Sequence, residues 1–254
     1  MKIGAIAGIT FKEAKRDRIL YLLFFFGAAS IVFSRVLAIL TVGDRVKIIK
    51  DVGLASINIF GVLMAVLIGT SLVYKEIDKK TIFTLLAKPL HRAQFILGKF
   101  LGLVLILFVM TAAMSAIFLA VVYLHVFMID WKLLVAITYI FIELVLITAV
   151  AVLFSTFSTP ILSSIFSLAF YLIGHLSWSM ELLIQKARSP LTRGFLRFLY
   201  LALPDLENFN FKTEAVHGLA IPSSIYAWSV LYGICYTAFL LGLAVLIFRR
   251  RDFV

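Results

Sequence analysis

Charge is sparse in this sequence and cysteine almost absent. Only 15% of its 254 residues are charged, where a soluble domain carries about 25%. A single cysteine, Cys235, sits inside an apolar run. That excludes an internal disulfide framework and a cysteine-based zinc site. What fills the space is apolar. The hydrophobic share is 63% and the mean hydropathy +1.10, where about 45–50% apolar is ordinary. A soluble protein of this length could not hide that much apolar surface, and the same excess excludes intrinsic disorder. The natural solvent for this chain is lipid.

Catalytic and nucleotide-binding motifs are also missing. No GxxxxGK[ST] pattern occurs: Gly98-Lys99 is followed by Phe100, which cannot supply the magnesium-binding hydroxyl. HExxH and GxSxG are absent as well. The four histidines, His91, His125, His175 and His217, are scattered without metal-ligand spacing. The chain is therefore expected to have no catalytic residue, no metal and no cofactor of its own. Net charge is +11, which in a soluble protein would suggest nucleic acid. Here the positive residues flank apolar runs, and no nucleic-acid partner is expected. Two competing classes stay open, a lipid-acting membrane enzyme and a passive channel or scaffold. The enzyme should gather several acids, histidines or serines at one depth, and no such cluster is visible. A channel should show repeated pore-facing polar residues, and no internal repeat is visible.

Six continuous apolar runs are long enough for spans: about residues 19–42, 52–74, 100–124, 133–157, 161–180 and 225–248. A helix needs about 20 apolar residues to cross the hydrocarbon, whereas barrel strands would be short and alternating. The eighteen mixed residues before the first run do not resemble a cleaved leader. A cytoplasmic N-terminus puts fourteen lysines and arginines inside and nine outside, with Arg35 near the outer end of the first span. Both termini are then cytoplasmic. Two long connections result, an inner one at 75–99 and an outer one at 181–224. The links 125–132 and 155–160 are short, which predicts antiparallel neighbours.

Several residues stand out against this background. Ile3, Ile6, Ala7, Thr10, Phe11 and Ala14 fall at helical spacing with Lys12, Lys15 and Arg16 elsewhere on the wheel. This predicts an amphipathic helix in the inner interface; a basic tail that only sets topology is the alternative. Glu143 is the one formal charge deep in a span. A carboxylate there costs at least about 2.5 kcal/mol. The expectation is a buried hydrogen bond to a neighbouring helix, through Asn58, Ser163 or Thr111; contact with substrate or a conformational switch is the alternative. His175 reads as a hydrogen-bonded packing residue. Gly27 to Ser30, Gly98 with Gly102, and Ser163, Ser164 and Ser167 are small residues that permit close helix approach, within one chain or between copies. In the outer loop Pro190 can open a helix. Leu191, Phe195, Phe198, Leu199 and Ala202 follow at helical spacing, and Pro204-Asp205 marks the stop.

The inner loop carries the most specific pattern. Ile82, Leu85 and Leu86 share one helical face, and Pro89 ends that helix near Ala87. An apolar face in a cytoplasmic loop needs a partner or the membrane to cover it. The segment resembles the loop between the second and third spans of ABC-2 type transporter permeases. Glu76, Thr81, Leu85, Leu86, Pro89, Arg92, Gly98 and Lys99 match that pattern, while Lys80 stands where many members have glycine. Lys-Thr followed by Lys-Pro is similar to the subgroup serving copper-enzyme maturation, as for nitrous oxide reductase, and the ending Arg249 to Phe253 is also similar to the family.

The resemblance implies an all-α integral membrane permease filling residues 1–254 as one domain. It would have six spans, an N-terminal interfacial helix, a cytoplasmic coupling helix and short extracellular helices between spans five and six, as in type V exporters. It implies a homodimer in a bacterial or archaeal inner membrane, surrounded by lipid and powered by two copies of a separate ATPase that holds ATP and magnesium. It leaves room for a periplasmic accessory protein. Glu76, Lys80, Thr81, Ile82, Leu85, Leu86, Pro89 and Arg92 would couple to that ATPase, and Glu143, Asn58 and His175 would be intramembrane polar residues.

The orientation makes a direct prediction. Cysteines introduced singly at Lys79 and Ser189, in a Cys235→Ser background, separate the two sides. An impermeant maleimide applied to intact cells should label position 189 and spare position 79; the reverse pattern overturns the topology.

Overall fold

The computed structural model describes residues 2–40, 44–78, 92–128, 130–176, 183–187, 189–219 and 223–250. Among these the chain is helical throughout, without strands. The helices are α1 Lys2–Ala14, α2 Arg18–Leu40, α3 Arg45–Asp78, α4 Arg92–Val126, α5 Trp131–Ser155 and α6 Pro160–His175. They are followed by α7 Pro190–Ala202, a 3-10 turn Leu206–Phe209, α8 Lys212–His217 and α9 Ser223–Arg250. Five of them, α2, α3, α4, α5 and α9, are long and apolar enough to cross a membrane; α6 is apolar but shorter.

Local chemistry sets several boundaries. Asp130 accepts the backbone N–H of Lys132 at 3.1 Å and opens α5. Pro160 stands at the first position of α6, where its missing N–H costs nothing. Pro190 opens α7 as its position predicts, and α7 stops before Pro204. Gly218, at φ 68°, ends α8 in the left-handed conformation. Two helices exceed their predicted runs. α3 starts at Arg45 and α4 at Arg92, because arginine and lysine sustain a helix outside the hydrocarbon and no proline interrupts either extension.

The core forms around α3 and α5. α3 packs on α2, α4, α5, α6 and α8. Leu144, Leu146, Ile147, Ala149, Val150 and Val152 of α5 are fully buried. The two helices approach closely at Gly69, where a β-carbon would lie 3.1 Å from that of Ala151. As the short links predict, α5 also packs against α4 and α6. Large apolar side chains face outward instead, among them Phe25, Phe33, Leu105, Phe108, Ile165 and Phe239. Buried polar residues face inward, including Asn58, Thr70, Thr148 and Ser167. An apolar rim around a partly polar interior suits hydrocarbon as solvent.

α6 is too short to span by itself. Its 16 residues reach about 24 Å, against a core of about 30 Å. The segment after α7 is seated over its end. A β-carbon on Gly174 would lie 2.6 Å from Leu206 Cγ, and one on Gly233 of α9 3.1 Å from Phe209 Cε1. Leu206 and Phe209 are fully buried. Tyr232 of α9 accepts the N–H of Asp205 at 2.9 Å, and α8 packs on α3 and α5. The predicted outer loop is thus partly inside the bundle.

α1 lies along the start of α4, in a groove made by Gly98 and Gly102. Ala7, Thr10 and Ala14 are buried there, while Ile9 and Lys12 face out. A β-carbon at position 102 would come within 2.6 Å of the Ala7 carbonyl oxygen, a backbone atom that cannot rotate away. Even Gly102→Ala should therefore displace α1, at a cost of about 1–3 kcal/mol. The expected signs are a lower melting temperature and faster tryptic cleavage at Lys12, Lys15 and Arg16. Unchanged melting and cleavage would show that this packing is absent.

Candidate functional site

Glu143, twelve residues into α5, has no exposed surface. Its carboxylate is held from two sides. Asn58 of α3 donates through Nδ2 to Oε2 at 2.8 Å. His175, the last residue of α6, places Nε2 2.7 Å from Oε1. Tyr171, one turn earlier on α6, donates to Asn58 Oδ1 at 2.6 Å, and its ring stands edge-on to the imidazole at 4.8 Å. Four side chains from three helices therefore satisfy one another around a single acid. The two contacts to Glu143 are short, as hydrogen bonds to a carboxylate should be.

The arrangement continues outward. His175 Nδ1 lies 3.3 Å from Glu207 Oε2, on the 3-10 turn. Glu207 is positioned by Asn210, which donates to its Oε1 at 2.7 Å, and by Asp205, whose carboxylate accepts its N–H at 3.1 Å. Side-chain exposure rises from 0% at Glu143 through 19% at His175 to 46% at Glu207. The cluster is a polar line from the dry centre of the bundle to a wet edge.

The three intramembrane residues singled out from the sequence, Asn58, Glu143 and His175, are brought together. The expected hydrogen bond from Asn58 is present. Ser163 and Thr111 are buried, but their hydroxyls have no partner among the described residues. His175 is hydrogen-bonded, as expected, and it belongs to a cluster that the sequence did not show. Tyr171 and Glu207 were missed. The spacing of Tyr171 and His175, one helical turn on one face, was the available signal. The carboxylates meet different ring nitrogens, so they do not converge on a common point. Among the described residues no group of three or more suitable ligands could hold a metal ion.

A second polar constellation lies near the opposite end. Arg92 donates through Nη1 to the carbonyls of Phe248 and Arg249, at 3.0 and 2.9 Å. It thereby caps the C-terminal end of α9 from the start of α4. The rings of Phe95 and Phe248 stack beside it at 5.7 Å. Lys99, 1% exposed, pairs with Glu13 of α1 at 3.2 Å. Of the other coupling residues named from sequence, Glu76 lies on the backbone of α3. Lys80, Thr81, Ile82, Leu85, Leu86 and Pro89 lie outside the described residues.

A family model described as "ABC-2 family transporter protein" matches residues 5–253. No curated protein matches the chain.

The Glu143 contacts predict an asymmetry between two substitutions. Glu143→Gln keeps an oxygen for Asn58 and should melt close to the parent. Glu143→Leu strands Asn58 and His175 in a low-dielectric site and should cost about 3–5 kcal/mol, read as lost yield and a lower melting temperature. Equal melting of the two variants would show that the carboxylate's neighbours do not depend on it.

Proposed function

Because the chain belongs to the ABC-2 family of transporter proteins, a multi-pass membrane component that works with an ATPase and is typically itself non-catalytic, we propose that it is a homodimeric export permease. Two ATPase subunits carry the ATP and magnesium chemistry. One domain, residues 1–254, supplies half of the translocation path. The family's membership supports this reading over a lipid-acting enzyme or a passive scaffold, since neither calls for a coupled ATPase.

In this reading α2, α3, α4, α5, α6 and α9 are the six spans. α6 completes its crossing with the segment 204–217 seated over its end. Both termini and the 75–99 connection face the cytoplasm. Supporting the mechanism is one observation above others, the length of α3 and α4. They have 34 and 35 residues, about 50 Å each, where about 20 residues suffice to span. α4 therefore extends past the hydrocarbon at the inner connection, as a lever would, while most of the extra length of α3 lies at its Arg45 end. Glu76, Lys80, Thr81, Ile82, Leu85, Leu86 and Pro89 form the surface that docks into the ATPase. Ile82, Leu85 and Leu86 supply its apolar face, and Glu76, Lys80 and Arg92 fix its register. Arg92 has a further task here. Its grip on Phe248 and Arg249 makes α9 move with α4, so the ATPase stroke reaches three spans.

Within the family, Lys80-Thr81 and Lys88-Pro89 favour the copper-enzyme maturation subgroup. The outer loop is where a periplasmic accessory protein would be met. The inner membrane of a bacterium or archaeon is the expected location.

Co-expression with the cognate ATPase tests the proposal. Native mass in lipid particles should show two permease copies and two ATPase copies. Leu85→Asp should still insert and dimerise, yet lose ATPase association or uncouple hydrolysis from transport. A complex with one permease copy contradicts the dimer. Unchanged association and unchanged substrate-stimulated hydrolysis in Leu85→Asp contradict the coupling role.

A further inference from the structure

We propose that Glu143, His175 and Glu207 form a proton-binding latch that seats the segment 204–217 on the end of α6. The argument is stoichiometric. Both nitrogens of His175 face carboxylate oxygens, at 2.7 Å towards Glu143 and 3.3 Å towards Glu207. A neutral imidazole has one N–H and one bare lone pair. The bare nitrogen would then meet an acceptor-only carboxylate, two lone pairs opposed either at the buried Glu143 or at the half-exposed Glu207. Both contacts are satisfied only if the unit holds one additional proton. That proton sits on the imidazole, or on Glu143 with the imidazole accepting from it. The count is the same on either side of the 2.7 Å contact.

The latch spans two parts of the fold. Glu143 and His175 belong to the packed bundle, on α5 and α6. Glu207 belongs to the 3-10 turn, whose Leu206 rests against Gly174. Removing the proton leaves two carboxylates sharing one N–H; the shorter, buried Glu143 contact keeps it, and the turn loses its hydrogen bond to His175. The surrounding groups modulate this balance. Asn58 of α3 donates to Glu143 and supports its anion. Tyr171 meets the ring by its edge. Lys212 of α8 lies close enough for its charge to act on the ring. Asp205 is committed to capping Glu207.

The direction follows from linkage. The seated state binds one more proton than the open state, so seating is favoured at low pH and weakens as pH rises. Under the permease reading, on which this clause alone rests, an outward path could open by release of segment 204–217, and the latch would make that release sensitive to external pH.

The test uses the full chain in lipid nanodiscs, without ATPase or substrate, so it stands apart from the functional reading. Hydrogen exchange of peptides covering 203–217 is followed from about pH 5.5 to pH 8.5, across the ordinary imidazole range, and corrected for intrinsic rates. Protection should fall with rising pH, by up to about tenfold per unit between the proton affinities of the open and seated states, and level off above that window, as one linked proton requires. His175→Gln should flatten the profile. Glu207→Gln, at an exposed position, should move the midpoint to lower pH by removing one stabilising anion. Protection independent of pH in the parent protein overturns the latch, and so does an unchanged profile in His175→Gln. Should His175→Gln fail to fold, an unshifted midpoint in Glu207→Gln overturns it instead.

Discussion

A carboxylate in the middle of an apolar bundle is the constraint from which the rest follows. Glu143 has no exposed surface, and no water in hydrocarbon would satisfy it. It must find its partners within the protein. Asn58 and His175 provide them from α3 and α6, and Tyr171 completes the hydrogen bonding of Asn58. Apolar packing between helices in lipid has little solvent preference to drive it. A directional contact of this kind can set which helices meet and in what register. The interior of the bundle is arranged around that need, with Gly61 and Gly69 bringing α3 against α5 near the acid's level and below it.

The shortness of α6 is the second element of the design, and it depends on the first. His175 reaches Glu143 because α6 ends there, beside a glycine that lets Leu206 sit on the helix end. A longer α6 would leave no room for the 3-10 turn. Filling the vacant depth with Leu206, Phe209, Phe211 and Val216, all buried, restores the apolar packing that a full span would have made. At the other end the polar contacts tie helices instead of filling space. Arg92 holds the end of α9, and Lys99 holds α1 through Glu13. Lys99 matches the family pattern as the lysine of Gly98-Lys99, and its burial against α1 gives that position a structural role.

Continuous apolar runs made the long helices legible in the sequence, because a spanning helix needs little beyond length and hydropathy. Pro190 and Pro204 marked the limits of α7 for an equally local reason. Asn58 could be paired with Glu143 because few polar residues were available to satisfy a buried acid. What could not be read was tertiary. Tyr171, His175 and Glu207 meet Asn58 and Glu143 from positions far apart in the chain, and nothing local to each announces the meeting. The seating of 204–217 was hidden for the same reason. Its residues read as a loop, since its burial comes from the gap above α6. The amphipathic period of α1 was visible, but the same apolar face suits a membrane surface or the groove at Gly98 and Gly102. Only the packing of α4 decides between them.

The claim at the centre is that Glu143 and Asn58 are energetically one unit joining α5 to α3. A double-mutant cycle measures this directly, using thermal unfolding of the lipid-embedded chain carrying Asn58→Leu, Glu143→Leu and both together. Once one partner is gone, losing the other should cost little more, so the cycle should return a coupling of about 1–3 kcal/mol. Strict additivity of the two single losses would contradict the account, because it would mean that the acid and the amide stabilise the bundle independently.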